Sequence, residues 1–214
     1  MKRFAAFAFL LVWCVLLIVG RVLRSGTVSY VFLVWNLFLA VIPVFAAWRL
    51  ARAKTTLAQI LWFAMWLAFL PNAPYIATDF LHLRARPLIP LWYDVALLFS
   101  CAATGLLFAF SSIADVQRVV AKRFGAAASW LCSSLALVLC GFGIYIGRYL
   151  RWNSWDVATN PRAVLGDILA RIVDPLSHPR TLGVTLVYGC GLLVGYVAFH
   201  LLAPAAAEPR VNRV

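Results

Sequence analysis

The sequence has few charged residues, and this excludes an ordinary soluble domain. Only 12% of its 214 residues are Asp, Glu, Lys or Arg, and 64% are hydrophobic. Soluble domains have about 25% charged and about 45–50% apolar residues. With a mean hydropathy of +0.92 and about 20 apolar residues needed per crossing, the chain has room for a set of membrane spans. No separate soluble domain is expected.

Acidic residues are scarcer than basic ones. The sequence has 7 Asp and Glu against 19 Lys and Arg, a formal net charge of +12. In a soluble protein this excess would indicate nucleic-acid binding. Here the basic residues lie in short clusters between apolar runs, which is typical of membrane orientation signals. We therefore predict no nucleic-acid partner.

Familiar reaction motifs are also lacking. The sequence contains no nucleotide-binding glycine loop and no HExxH, GxSxG or CxxC motif. Its 5 cysteines are dispersed through apolar runs, which predicts packing roles and no disulfide framework. We expect no cofactor and no bound metal, and the motifs leave open whether the chain is an enzyme.

What the sequence has in abundance is long apolar runs. We predict one all-α integral membrane domain over residues 1–214, a polytopic bundle of six transmembrane helices, because backbone in lipid must form its hydrogen bonds within each helix. The first run resembles a signal peptide, but no small-residue cleavage site follows it, so we predict an uncleaved helix. The predicted spans are residues 4–20, 28–48, 57–70, 91–114, 126–147 and 181–203.

The basic residues orient these spans. Both termini and the loops 49–56 and 115–125 share one side of the membrane and contain every lysine. Their density of Lys and Arg exceeds that of the opposite loops, 21–27, 71–90 and 148–180. By the positive-inside rule, both termini are predicted to lie in the cytoplasm.

The last outer loop contains one further helix signal. Asn160 and Pro161 are typical of an N-cap and a first helical position. Apolar residues then recur at helical spacing from Val164, and Pro175 ends the pattern. We predict a short amphipathic helix that either lies at the membrane interface or covers the outer face of the bundle.

Polar residues gather in three stretches on the predicted outer side. These are LPNAPYIATDFLHL at 70–83, WYD at 92–94 and GRYLRWNSWD at 147–156. In this order, and between these spans, they resemble the bacterial membrane proteins of domain-of-unknown-function family 1361, from about the second span to the sixth. The resemblance implies a multi-pass protein of the bacterial inner membrane and brings no established activity with it.

Two acidic residues in these stretches, Asp79 and Asp94, indicate functional or structural roles. Asp79 and His82 are three residues apart and face the same way on a helix. They suit an acid–base pair, a structural hydrogen-bonded pair, or two ligands of a metal site that lacks its third. Asp94 lies inside an apolar run, where a carboxylate needs a partner. We expect that partner to be Arg148 or, failing that, Arg151.

We predict that six side chains converge in one outer-face pocket of about 10 Å, the size that holds a small ligand or a head group: Asp79, His82, Asp94, Arg148, Arg151 and Asp156. One hypothesis is that the pocket binds or processes an anionic lipid or lipid-linked substrate. The other is a non-catalytic accessory or structural protein, or a small carrier, in which the polar cluster is an ion-pair network. The partners expected are the lipid bilayer and an anionic head group, and the oligomeric state stays open. Asp79 and His82 are the candidate catalytic residues, and the candidate substrate-binding residues are Asn72, Tyr75, Asp94, Arg148, Arg151, Asn153 and Asp156.

Overall fold

The computed structural model describes residues 2–152 and 156–202, and within these ranges it is helical with no strand. This confirms the predicted all-α class. The long helices are α1 (Lys2–Ser25), α2 (Phe32–Leu50), α3 (Thr56–Phe69), α5 (Leu91–Tyr149) and α8 (Pro179–Leu202). The short ones are α4 (Asn72–Tyr75), a 3₁₀ helix (Ile76–His82), α6 (Asp156–Thr159) and α7 (Pro161–Val173).

Several of the helical stretches are long and apolar enough to cross a membrane. They carry large apolar side chains on their outer surface: Phe9 is 71% exposed in α1, and Val194 is 70% exposed in α8. Such surfaces suit lipid and confirm a membrane protein, while the number of six crossings stays a prediction. The stretches are Arg3–Ser25, Phe32–Leu50, Thr56–His82, Leu91–Tyr149 and Pro179–Leu202.

Helix α5 is broken near its middle. Its 59 residues would extend about 90 Å as one straight helix, three times the thickness of the hydrocarbon core. At Gly125 the backbone has φ 86° and ψ 172°, a conformation that is essentially restricted to glycine. The chain reverses there. Residues 115–124, predicted as a loop, are instead helical.

Contacts between helices define the two ends of the bundle. The Asp79 end holds Asp79, Asp94 and Arg148, since Arg148 bonds Asp79 and Asp94 is linked to the same region through α1. The Asp115 end holds Asp115 and the start of α1, because Arg3 bonds Asp115. The two parts of α5 therefore run in opposite directions between these ends.

The segment around α4 is wedged against α5 at glycines. A Cβ added at Gly105 would lie 2.3 Å from the carbonyl oxygen of Ala73. A Cβ at Gly143 would lie 2.6 Å from the Cβ of Pro71. Only glycine permits these approaches, and they bring the segment that follows α3 into the bundle.

Helix α7, Pro161–Val173, confirms the predicted amphipathic helix. It begins with proline at the first turn, although Asn160 makes no side-chain cap hydrogen bond. Val164 is buried against the bundle, whereas Leu165 and Ile172 are 55% and 62% exposed. One edge of its apolar face packs on the bundle and the other edge faces outward.

Candidate functional site

The site begins where α3 ends. Proline has no N–H and its ring clashes with the preceding turn, so Pro71 and Pro74 stop α3 and leave the short α4 in its place. The chain continues as the 3₁₀ helix Ile76–His82. Residues three apart lie on one face of a 3₁₀ helix, and Asp79 Oδ1 is 3.8 Å from His82 Nδ1.

Asp79 is the centre of the polar cluster and is only 1% exposed. Arg148 donates from Nη2 to Oδ1 at 2.5 Å, and Asn36 donates from Nδ2 to Oδ2 at 3.0 Å. A buried carboxylate is costly without such partners, and here both oxygens have one. Asp79 is therefore suited to fixing its neighbours more than to contacting a ligand itself.

Arg148 is held in one orientation. Its Nε and Nη2 donate to Thr78 Oγ1 at 3.0 and 2.6 Å, and its guanidinium carbon lies 4.4 Å from the Tyr75 ring centroid. Its Nη1 has no hydrogen-bond partner among the residues that the structure describes. Arg148 thus presents a pre-oriented N–H group to the space beside it, which is the arrangement that carboxylate and phosphate oxygens accept.

That space is a cavity of about 550 Å³, a size typical of small-molecule sites. We call it the outer-side cavity, after the predicted orientation. Its polar end is formed by Asn36, Asp79, His82 and Arg148. Its apolar walls come from α2, α3, the second part of α5 and α7, and include Phe32, Trp35, Leu39, Phe69, Ile146, Val164 and Ile168.

The cavity collects some of the predicted site residues and leaves others out. Asn153 lies outside the described residues. Asp94, Arg151 and Asp156 do not line the cavity, and Arg151 is exposed with φ 61° just beyond α5. The predicted residues that do line it are Asn72, Tyr75, Asp79, His82 and Arg148.

The predicted pairing of Asp94 with Arg148 or Arg151 is wrong. Asp94 is bonded by Arg21, with Nε to Oδ1 at 2.7 Å and Nη2 to Oδ2 at 3.2 Å. Both side chains are 1% exposed. The error has a physical reason: α1 continues to Ser25, past its predicted end, so Arg21 is a helical residue that faces inward and reaches Asp94. Arg148 is already bound to Asp79.

The Arg21–Asp94 pair supports the site indirectly, through Tyr30. The guanidinium carbon of Arg21 lies 4.4 Å from the ring centroid of Tyr30. The hydroxyl of Tyr30 donates to the carbonyl oxygen of His82 at 3.1 Å. The pair therefore fixes the end of the 3₁₀ helix without facing the cavity.

Three residues that build the site were not predicted from the sequence, although for two of them the sequence contains an indication. Asn36 is the one amide inside the second apolar run, and an intramembrane polar residue usually has a role. Arg21 follows Gly20, and no further glycine or proline comes before Gly26, which indicates that the helix continues to that point. Thr78 had no signal, because its hydrogen bond with Arg148 depends on how two helices pack.

Helix α7 closes one side of the cavity. Val164 and Ile168 line it, and Trp152 donates from Nε1 to Asp167 Oδ2 at 2.7 Å. Arg171 donates to the other carboxylate oxygen of Asp167 at 3.2 Å. The helix is thus a wall of the cavity, while its exposed edge suits an interface.

Comparison with known proteins places the chain in a family. No curated protein and no solved structure matches it. A family model described as protein of unknown function (DUF1361) matches residues 35–194. The match contains all three polar stretches and the whole cavity lining except Phe32, but it begins after α1 and Arg21. The chain therefore belongs to the DUF1361 family, as its motifs predicted.

Proposed function

We propose that this chain is a multi-pass protein of the bacterial inner membrane, with both termini in the cytoplasm, whose outer-side cavity binds an anionic lipid or a lipid-linked substrate. One observation carries the proposal. The cavity joins a polar end, at Arg148 and His82, to apolar walls between helices of membrane-spanning length. A ligand with a charged head and a hydrocarbon chain matches both parts.

The polar end favours an anion because the accessible groups are donors or cations. Asp79 is the one carboxylate among the described residues that line the cavity; it is 1% exposed and is hydrogen-bonded by Arg148 and Asn36. His82 has a side chain that is 47% exposed, and its imidazole ring carries an N–H group that can donate a hydrogen bond. A ligand would thus meet the Nη1 of Arg148 and the His82 ring before any negative charge.

The apolar walls favour a lipid over a soluble anion. Leu39, Phe69 and Ile146 line the cavity, and Leu39 lies about one helical turn along α2 from Asn36. Hydrocarbon placed against them is removed from water, at about 25 cal/mol per Å² of apolar surface buried. A small hydrophilic anion would gain nothing there.

Processing of the bound lipid is a further step in the same proposal. His82 is the accessible titratable side chain, and Asp79 lies 3.8 Å behind its Nδ1. This is beyond hydrogen-bond distance, so the two side chains must move closer together before Asp79 can orient the imidazole as a general base. Binding therefore has stronger support than catalysis.

Native mass spectrometry of the purified full-length protein tests the binding. Wild type should retain a phospholipid or lipid carrier, and Arg148→Gln should retain about tenfold less, because a hydrogen bond to a charged group contributes about 1.5–3 kcal/mol. Arg151→Gln is the matched control, since Arg151 is exposed outside the cavity, and it should behave as wild type. Thermal midpoints of all three report folding.

Two results would contradict the proposal. Wild type that carries no lipid, or Arg148→Gln that retains as much as wild type, favours the alternative of a structural ion-pair network. His82→Gln then separates binding from processing: it should retain lipid, and a changed lipid adduct in wild type but not in the variant would indicate catalysis.

The orientation is tested by cysteine labelling in intact cells. Single cysteines at Ser25 and Ser177, in an otherwise cysteine-free chain, should react with a membrane-impermeant thiol reagent. A cysteine at Thr55 should not react. The reverse pattern would place the cavity on the cytoplasmic side.

A further inference from the structure

A second cavity, of about 650 Å³, lies at the Asp115 end. Its lining comes from three separate places: the start of α1, the turn between α2 and α3, and the α5 residues before Gly125. Five lining side chains are basic and one is acidic, while the others carry no charge. The basic residues are Arg3, Arg52, Arg118, Lys122 and Arg123, and the acidic residue is Asp115.

Asp115 does not balance this charge. Its side chain is 8% exposed, and Arg3 bonds it with both arms of the guanidinium, Nη1 to Oδ1 at 2.7 Å and Nη2 to Oδ2 at 2.5 Å. Arg118 contacts the same Oδ1. Two cations thus share one carboxylate, and among the lining residues that the structure describes no other acidic side chain is left for the remaining three.

The remaining arginines are positioned by neutral groups. The guanidinium carbon of Arg52 lies 4.4 Å from the Trp48 ring centroid, and its Nη1 donates to the Trp48 carbonyl oxygen at 3.2 Å. Arg123 donates from Nη1 to Gln59 Oε1 at 2.8 Å. These contacts orient the guanidinium groups, and because the partners are neutral they do not offset the positive charge.

We propose that this basic cavity binds a phosphate-bearing anion, either the head group of an anionic phospholipid or a free phosphate compound. Guanidinium forks match phosphate oxygens in geometry and charge, and basic pockets between membrane helices on the cytoplasmic side hold anionic head groups. Basic residues that serve only to orient a membrane protein must lie in a loop, but they need not surround a cavity. Here cations from three chain segments surround one concavity, with Phe4 and Trp48 as an apolar wall.

Titration with two lipids tests the site. Full-length protein in neutral detergent is titrated with phosphatidylglycerol or phosphatidylcholine and measured by native mass spectrometry. We expect phosphatidylglycerol to bind more tightly. The double variant Arg52→Gln, Lys122→Gln should bind it about thirtyfold more weakly, because each of the two basic residues contributes a factor of about five near a membrane surface.

The matched control keeps the charge. Arg52→Lys with Lys122→Arg should bind phosphatidylglycerol as wild type does, and both double variants leave the Arg3–Asp115 pair intact. Added salt should weaken binding to wild type more than to the neutral variant, because exposed charges are screened. Arg148→Gln should leave this binding unchanged, which separates the basic cavity from the outer-side cavity.

Inorganic pyrophosphate distinguishes the two sources of phosphate. If it displaces phosphatidylglycerol, the cavity accepts free phosphate compounds; if phosphatidylglycerol binds and pyrophosphate does not compete, the ligand is the lipid head group. Equal binding of the two lipids, or equal binding by the neutral and charge-preserving variants, would overturn the proposal.

Discussion

The two ends of the bundle use similar residues in different ways. At the Asp79 end, Asp94 and Arg21 are both 1% exposed and pair one to one. At the Asp115 end, Arg3 is 37% exposed and shares its carboxylate with a second arginine. Ions removed from water depend on each other strongly, while exposed ions are screened. The same pairing is therefore structural at one end and leaves a cationic surface at the other.

The largest expected effect comes from breaking the buried pair. Arg21→Met leaves the Asp94 carboxylate buried without its cation, and we expect a loss of about 3–5 kcal/mol in the free energy of unfolding. Chemical denaturation in detergent measures it. Adding Asp94→Leu should recover most of the loss, because an apolar pair of similar volume is often neutral. An unchanged midpoint for Arg21→Met would show that Asp94 is not dependent on Arg21.

A steric change where α4 packs against α5 should have the next largest effect. In Gly105→Ala the new Cβ would lie 2.3 Å from the Ala73 carbonyl oxygen, so α4 must move, at a cost of about 1–3 kcal/mol. Gly191→Ala is the control, because nothing lies within 4 Å of a Cβ there. Thermal midpoints of the two variants decide this, and equal midpoints would contradict the close approach of α4.

The position of α7, which forms one wall of the outer-side cavity, depends on a weaker contact. Trp152→Phe removes the N–H that bonds Asp167 and should cost about 0.5–1.5 kcal/mol. Faster amide hydrogen exchange in Pro161–Val173 would report it. Trp92→Phe, at a residue that is 69% exposed, should leave that exchange unchanged. No difference between the variants would mean that packing alone holds α7.

The smallest effect is expected at the Asp115 end. Arg3→Met removes a partly exposed ion pair, worth about 0.2–1 kcal/mol, and Asp115 keeps Arg118. The same denaturation assay at low and high salt should show the difference shrinking as salt screens the charges. A loss of unfolding free energy as large as that of Arg21→Met would contradict the difference in ion-pair strength between the two ends.

The helices were predictable from apolar run length, but their ends were not read correctly. α1 continues through Arg21 to Ser25, and the first part of α5 continues through Asp115 to Gly125, although the charged residues there predict loops. Charges do not stop a helix when they find partners. The actual breaks occur at Gly26 and Gly125, whose φ values are 64° and 86°, and these glycines were visible in the sequence.

The site was predictable in part. The spacing of Asp79 and His82 placed them on one face, and the third polar stretch contained Arg148. The partner of Asp94 depended on which helices are neighbours, and a single sequence carries no such information. Arg148 was predicted as the partner because it lies in one of the polar stretches, whereas helix packing places Arg21 of α1 beside Asp94.

The early end of α3 sets the depth of the chemistry. Its 14 residues rise about 21 Å, less than the hydrocarbon thickness of about 30 Å. In the proposed six-crossing arrangement, the third crossing is completed by α4 and the 3₁₀ helix, whose rise is about 2.0 Å per residue. That arrangement places Asp79, which belongs to the 3₁₀ helix, where acyl chains meet head groups. A lipid would reach this level by moving sideways within its own leaflet, whereas a water-soluble molecule would have to leave bulk water.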